Sequence, residues 1–271
     1  MLKEANRHLD NLPGDLYDLD ITLSGQWIGV TEFGERQSLI FAGKSVPLPE
    51  QIRFPHVAAI DDETALVVNS RAWQDKNAWI VTSAGEVKAN FFAGDAIQNI
   101  LASNSFLVIT YFDESALTSP GIEGNGVAVF DSDGNFRFGY REFFGEEAVD
   151  IADCYCACWA EENRVLFFPY TDFPLVSFNL ESKIQEVWET PRELAGSDGM
   201  TARGRTVYFH SPYNDEQGIY EWQVGDEAAI LLGKHVGYSV GAHACHLRGL
   251  RRGRFLAVDK AGYTILSPSE I

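Results

Sequence analysis

The chain has 271 residues, with 39 Asp and Glu against 21 Lys and Arg, for a formal net charge of −18. Apolar residues make up 45% and aromatics 13%, enough for a substantial core in one large domain or two small ones. That charge repels an anionic duplex or membrane surface, so neither nucleic-acid nor membrane binding is expected.

The first ten residues, MLKEANRHLD, carry charge and lack the apolar stretch of a signal peptide. No segment approaches the roughly 18 apolar residues needed to span a bilayer. Three of the four cysteines crowd together as Cys154, Cys156 and Cys158, with Cys245 apart, which is not a disulfide framework. A cytoplasmic setting is expected.

In chain order, the charged stretch of residues 1–15 comes first. Then short apolar runs recur, parted by Gly, Asp, Asn and Ser turns. The first group is WIGVTEF, SLIFAG and SVPLP. The second is HVAAIDD, ALVVNSR, AWIVTSAG and EVKANFF. A third follows as IQNILASN, FLVITYF, VAVFDSDG and NFRFGYR, and a fourth as CYCACWAEE, VLFFPYT, LVSFNLES and KIQEVWE. The fifth is DGMTARG, TVYFHSP, IYEWQVGD and AAILLGK, and the sixth is ACHLRGL, FLAVDKA and YTILSPS. The groups repeat at about 40–50 residues, the spacing of propeller blades. The expected fold is all-β, a six-bladed β-propeller of four-stranded antiparallel blades in a single domain over 1–271.

The sixth group reaches Ile271 before a fourth strand can form. Residues 1–15 are the expected donor of that strand, which would remove an open sheet edge. Leu2, Ala5, Leu9 and Leu12 also fall on one helical face, so a short packed helix is the alternative.

Naming the strands of each blade a to d from the inside outwards, the b–c loops and the d–a connections share one face. Ligands commonly bind there in propellers. The b–c loops are expected near 70–77, 112–126, 169–174 and 211–218, with the longest, 113–126, a candidate lid. The d–a connections are expected near 48–56, 93–98, 142–152, 190–198 and 233–242.

Several runs in these loops go together. Gly94-Asp95-Ala96-Ile97, Tyr111-Phe112-Asp113-Glu114, Asp153-Cys154-Tyr155 and Tyr170-Thr171-Asp172-Phe173-Pro174 occur in that order, with Arg71 and Asn77 upstream. Together they resemble the recurring motifs of an uncharacterised bacterial six-bladed β-propeller family with no assigned activity. Its members carry G-D-G-I, Y-F-D-E-G, D-C-Y and Y-T-D-F-P runs. The resemblance covers roughly residues 65–180 and implies the propeller fold, but no chemistry. Ala96 and Ser115 stand where that family usually has Gly, a departure that bears on loop conformation.

The candidate ligand-binding residues are Arg71, Asp95, Asp113, Glu114, Asp153, Tyr155 and Asp172. Carboxylates gathered on one face suit a hard cation, a cationic ligand, or acid–base work on a sugar or lactone. Asp at strand ends also commonly accepts backbone N–H bonds and fixes turns, so each residue carries that structural reading as well.

Other motifs carry less. Gly237-Tyr238-Ser239-Val240-Gly241 matches a nucleophile elbow, but no α/β domain and no later acid–histidine pair accompany it. Asp131-Ser132-Asp133-Gly134-Asn135 resembles half a calcium loop where a tight c–d hairpin is expected. The alternating cysteines would lie about 6.6 Å apart on one strand face, too far for one tetrahedral metal. His243, Cys245 and His56 could form a mixed site across the channel. Arg248, Arg251, Arg252 and Arg254 bracket a turn, where surface ion pairs are expected.

The leading functional reading is a non-enzymatic binding module, without cofactor, whose loop-rich face takes a protein partner or a small polar ligand. The alternative is a divalent-metal-assisted hydrolase or lactonase holding Ca²⁺ or Mg²⁺ at the channel mouth.

Overall fold

In a computed structural model, residues 2–9, 14–72, 75–112, 121–235, 247–259 and 262–268 are described. The described strands form six four-stranded antiparallel sheets; five pair their strands in chain order, and the sixth sets the N-terminal strand beside the last one. The chain divides into two compact units, one holding the three sheets between residues 9 and 148 and the other the remaining three, to which residues 2–8 contribute a strand.

The first unit contains β2 (Asp15–Ile21) to β5 (Lys44–Pro47), β6 (Pro55–Ala59) to β9 (Val87–Phe91), and β10 (Ile97–Ala102) to β13 (Phe136–Gly139). A one-turn helix at Tyr140–Phe144 follows the last of these. The second unit contains β14 (Asp153–Glu161) to β17 (Gln185–Trp188) and β18 (Gly199–Arg203) to β21 (Ile230–Lys234). Its third sheet is built from β22 (Arg248–Leu250), β23 (Arg254–Asp259), β24 (Gly262–Pro268) and the N-terminal strand β1 (Leu2–His8). Among the described residues, no helix is long and apolar enough to cross a membrane.

Burial explains why the strands read as they do. The second and third strands of a blade have sheet on both faces, so they are nearly continuous apolar runs rather than alternating ones. Thr64 to Val68 and Ala78 to Thr82 are buried without a break. Outermost strands lose that cover: Val87, Val187, Ile230 and Leu231 are exposed. Between neighbouring sheets the core closes locally. Leu66, Ile80, Leu107, Ile109 and Phe130 form one cluster, and Phe168, Leu175, Phe209 and Trp222 another.

The N-terminus supplies the missing fourth strand. β1 pairs with β24 in antiparallel register from Leu2 opposite Pro268 to His8 opposite Gly262. Leu2 packs on the cluster of Ile219, Leu247, Phe255 and Leu266. The helical spacing of Leu2, Ala5 and Leu9 is thus overridden, because β24 offers a row of unpaired backbone groups.

Inner strands carry acids for a structural reason. On β2, Asp18 accepts the Val57 N–H at 2.7 Å and Asp20 accepts the Ala59 N–H at 2.8 Å. Two carboxylates thereby tie the inner strand of blade one to that of blade two. The c–d hairpin of blade three follows the same logic. Asp131 Oδ1 accepts from the backbone of Asp133 at 3.0 Å and of Asn135 at 2.9 Å, while Gly134 takes φ 79°. The half-calcium loop is a capped turn.

Candidate functional site

The candidate residues fall into groups that the fold treats differently. Arg71 and Asp95 meet in the first unit. Asp95 Oδ1 accepts from Arg71 Nε at 3.2 Å and from the Ala72 N–H at 2.8 Å. The Arg71 guanidinium also lies 5.4 Å from the centre of the Phe112 ring.

The backbone beneath them is pinned by Asn77, which is buried. Its amide donates to the carbonyls of Asn69 at 2.9 Å and Gly94 at 2.8 Å and accepts from the Ala93 N–H at 2.8 Å. The Tyr111 hydroxyl donates to the Ala93 carbonyl at 2.5 Å. Its ring leaves no room for a Cβ on Gly94, which would come within 2.7 Å. Ala96 sits at φ 54°, in the left-handed region, which explains how Gly could serve at that position. The Gly94–Ile97 and Tyr111 runs, with Arg71 and Asn77, therefore build one hydrogen-bonded loop anchor. Its charges are already matched.

Asp113 and Glu114, the 113–126 loop up to residue 120, and the Gly237–Gly241, His243 and Cys245 motifs lie outside the described residues.

Asp153, Tyr155 and Asp172 belong to blade four, in the second unit, and here the arrangement is open. β14 pairs with β15 (Arg164–Tyr170), but the register slips between Cys154 and Cys156, leaving Tyr155 as the bulged residue. A bulge re-aims its side chain, whereas Cys154, Cys156 and Cys158 stay buried. The Tyr155 ring packs on Phe173 at 5.1 Å, Tyr213 at 5.9 Å and Tyr170 at 6.3 Å between centroids. Phe173 also meets Tyr170 at 5.6 Å and Tyr213 at 5.7 Å. The Tyr155 and Tyr213 hydroxyls hydrogen-bond to each other. Burial, then that hydrogen bond and the nearby Asp153 charge, push the Tyr155 phenol well above its ordinary pKa.

Two backbone features hold this aromatic platform. Phe173 adopts φ 53° immediately before Pro174. A bulky residue in that region costs about 1–2 kcal/mol, and a following proline disfavours helical backbone further. The Thr190 hydroxyl clamps the Phe173 carbonyl at 2.7 Å. On blade five, the Tyr213 N–H donates to the Ala195 carbonyl at 3.0 Å. Its ring lies over Gly196, at φ 79°, where a Cβ would come within 2.3 Å.

The platform's outer members are open: Tyr170 is 41% and Tyr213 55% exposed. Asp172, in the turn between Tyr170 and Phe173, is exposed and makes no hydrogen bond or ion pair with the described residues. Asp215, near Tyr213, differs. It is held below the ordinary carboxylate range first by its hydrogen bond from Lys234, whose Nζ lies 2.5 Å from Oδ1.

Tyr213 had no motif to announce it. Its one sequence signal is the Ser-Pro-Tyr run of 211–213, the blade-five counterpart of Phe-Pro in blade four. Nearby, His210 is buried with Nδ1 3.0 Å from Asp198 Oδ1 and Nε2 3.4 Å from the His235 carbonyl. This pair braces blade five, with the imidazole buried and the carboxylate partly exposed. The expected surface ion pairs of the arginine turn give way, for Arg251, to a guanidinium 4.7 Å from the Trp159 ring and a bond to the Glu161 carbonyl at 3.2 Å.

Among the described residues, no group of three or more His, Cys, Asp or Glu is assembled that could hold a metal ion. The carboxylate–metal reading therefore draws no support from them.

Comparison with solved structures gives the same architecture. Virginiamycin B lyase from Staphylococcus aureus superposes with a TM-score of 0.59 at 12% identity, covering 99% of this chain and 100% of that one. The fold is a six-bladed β-propeller. The PQQ-bound aldose sugar dehydrogenase of Streptomyces coelicolor matches with a TM-score of 0.54 at 10% identity over 98% of each chain. The WD40 repeats of RRP9 match at 0.56 and 10%, over 98% of this chain and 99% of that one. A lyase, a dehydrogenase and a repeat domain share this propeller, so the likeness reaches the fold alone. No protein-family model matches the chain, nor does any curated protein.

Proposed function

We propose that the chain is a binding module whose recognition surface is the Tyr155–Tyr170–Phe173–Tyr213 platform between blades four and five. The observation that carries this reading is the strained Phe173, at φ 53° against the preference its following proline imposes, with a hydroxyl clamp on its carbonyl. Backbone strain of this kind persists where the surrounding structure fixes it and concentrates at functional positions. Here it sets an apolar ring beneath two tyrosines that remain substantially exposed. Tyrosine offers contact area and a polar edge at low entropic cost, which suits recognition of a protein or a small polar ligand.

The test compares the chain with its Y170S/Y213S variant across peptides and small polar ligands, measuring both affinity and melting temperature. A binding platform loses affinity for at least one ligand about tenfold or more with little change in stability. A variant that melts several degrees lower and binds every tested ligand as before makes the rings packing groups, and the proposal fails.

A further inference from the structure

The chemistry around the platform narrows what it takes. Two carboxylates flank the tyrosines. Asp153 acts electrostatically on the Tyr155 hydroxyl and stands opposite Tyr170 in the strand register. Asp172 is exposed in the turn that carries Tyr170 and Phe173. The nearby cation, Lys234, is engaged by Asp215. Aromatic faces attract cations through their quadrupole, and the exposed Asp172 carboxylate adds a charge for a cation to meet. An anionic ligand would face both carboxylates, and a neutral one would leave Asp172 unmatched.

Resting on the binding-module reading, we propose that the platform seats an arginine side chain of a basic protein partner. The guanidinium lies on Tyr170 and Tyr213 and forks to Asp172. Arginine fits better than lysine for three reasons. Its plane stacks on aromatic faces, its donors match a carboxylate two at a time, and it is more weakly hydrated than an ammonium. The net charge of −18 supplies the long-range attraction that draws a basic partner to the surface.

The probe is a fluorescently labelled Gly/Ser peptide bearing two arginines, with lysine and citrulline versions, titrated against the full chain at low and physiological salt. The arginine peptide should bind tightest, the lysine version several-fold more weakly, and the uncharged citrulline version not measurably. D172N, at an exposed residue with no bond to the described residues, and Y213A should each weaken the arginine peptide about fivefold. E86Q, at an exposed residue just before β9 in the other unit, should change nothing.

Equal loss in E86Q and D172N would reduce the binding to general attraction by the acidic surface and overturn the proposal. Equal affinity for arginine and lysine peptides would do the same. If the citrulline peptide binds and Y213A weakens it, the platform still recognises a ligand and only arginine is refuted. If Y213A alters the binding of no probe, both the arginine assignment and the binding-module reading fall.

Discussion

Replacing Asn77 by alanine tests whether one buried amide holds the loop anchor of blades two and three. The side chain donates to the Gly94 and Asn69 carbonyls and accepts from the Ala93 N–H, all between 2.8 and 2.9 Å. Removing it strands the Ala93 donor and the Gly94 acceptor in a buried site, at about 1–3 kcal/mol for each group. A loss of about 3–5 kcal/mol is expected once the Asn69 carbonyl is included. With an unfolding entropy of roughly 2 cal/mol/K per residue, the 271-residue chain should melt about 5–9 °C lower.

Urea denaturation of wild type, N77A and N77D gives the measurement. The aspartate keeps an acceptor for the Ala93 N–H but turns a carboxylate on two carbonyl oxygens, so N77D should be at least as damaging as N77A. A change below about 1 kcal/mol for N77A, within the range of an ordinary surface substitution, would refute the reasoning. A clear rescue by N77D would refute it differently, by showing that only the Ala93 bond counts.

Gly249→Ala should cost more than about 3 kcal/mol or abolish soluble expression, since its Cβ would come within 1.9 Å of the Met200 carbonyl oxygen, which is backbone and cannot swing away. The buried Cys156 and Cys158 thiols are pushed well above their ordinary range, by burial first. A thiol reagent at neutral pH should leave both unmodified in the native chain, by mass spectrometry, and label both in denaturant; rapid native labelling would contradict the packing. Burial, partly opposed by Glu4, lowers His235 below its ordinary 6.5. Its neutral form is favoured on folding, so this contribution is present above pH 6.5 and is lost as pH falls through the lower native value. H235N should flatten the stability profile between about pH 6.5 and 5, above the carboxylate range; an unchanged slope would show that another group sets it.

The middle strands were legible because burial on both faces writes them as unbroken apolar runs, such as Thr64–Val68. The first inner strand, DLYDLDI, was not singled out. Its Asp18 and Asp20 look like loop acids, and only the neighbouring Val57 and Ala59 N–H groups explain them. Arg71 and Asp95 were rightly placed in loops that meet, yet their mutual bond is a three-dimensional fact. Tyr155 was read from a motif, but what turns its ring outward is a slipped register, which no residue type announces. Tyr213 and the φ of Phe173 stayed hidden for a similar reason. Backbone strain before proline runs against local preference, so propensity argues away from it.

An acidic composition says little until each carboxylate is asked what already occupies it. Asp18 and Asp20 serve the next strand's N–H groups, Asp131 caps a hairpin, Asp95 holds Arg71 and a backbone amide, and Asp215 holds Lys234. Each gains hydrogen bonds that offset the cost of leaving water, so none is short of a partner. Asp172 is exposed and has no such bond among the described residues, yet it shares its turn with a strained phenylalanine and a half-exposed tyrosine. Solvation alone accounts for an exposed aspartate, but it gives no reason for the strain beside it. The strained Phe173 is where Tyr170 and Tyr213 find a common support, with the exposed Asp172 beside it. If the platform is the recognition surface proposed above, what sets Asp172 apart from the other exposed acids is the aromatic support beside it rather than its charge alone.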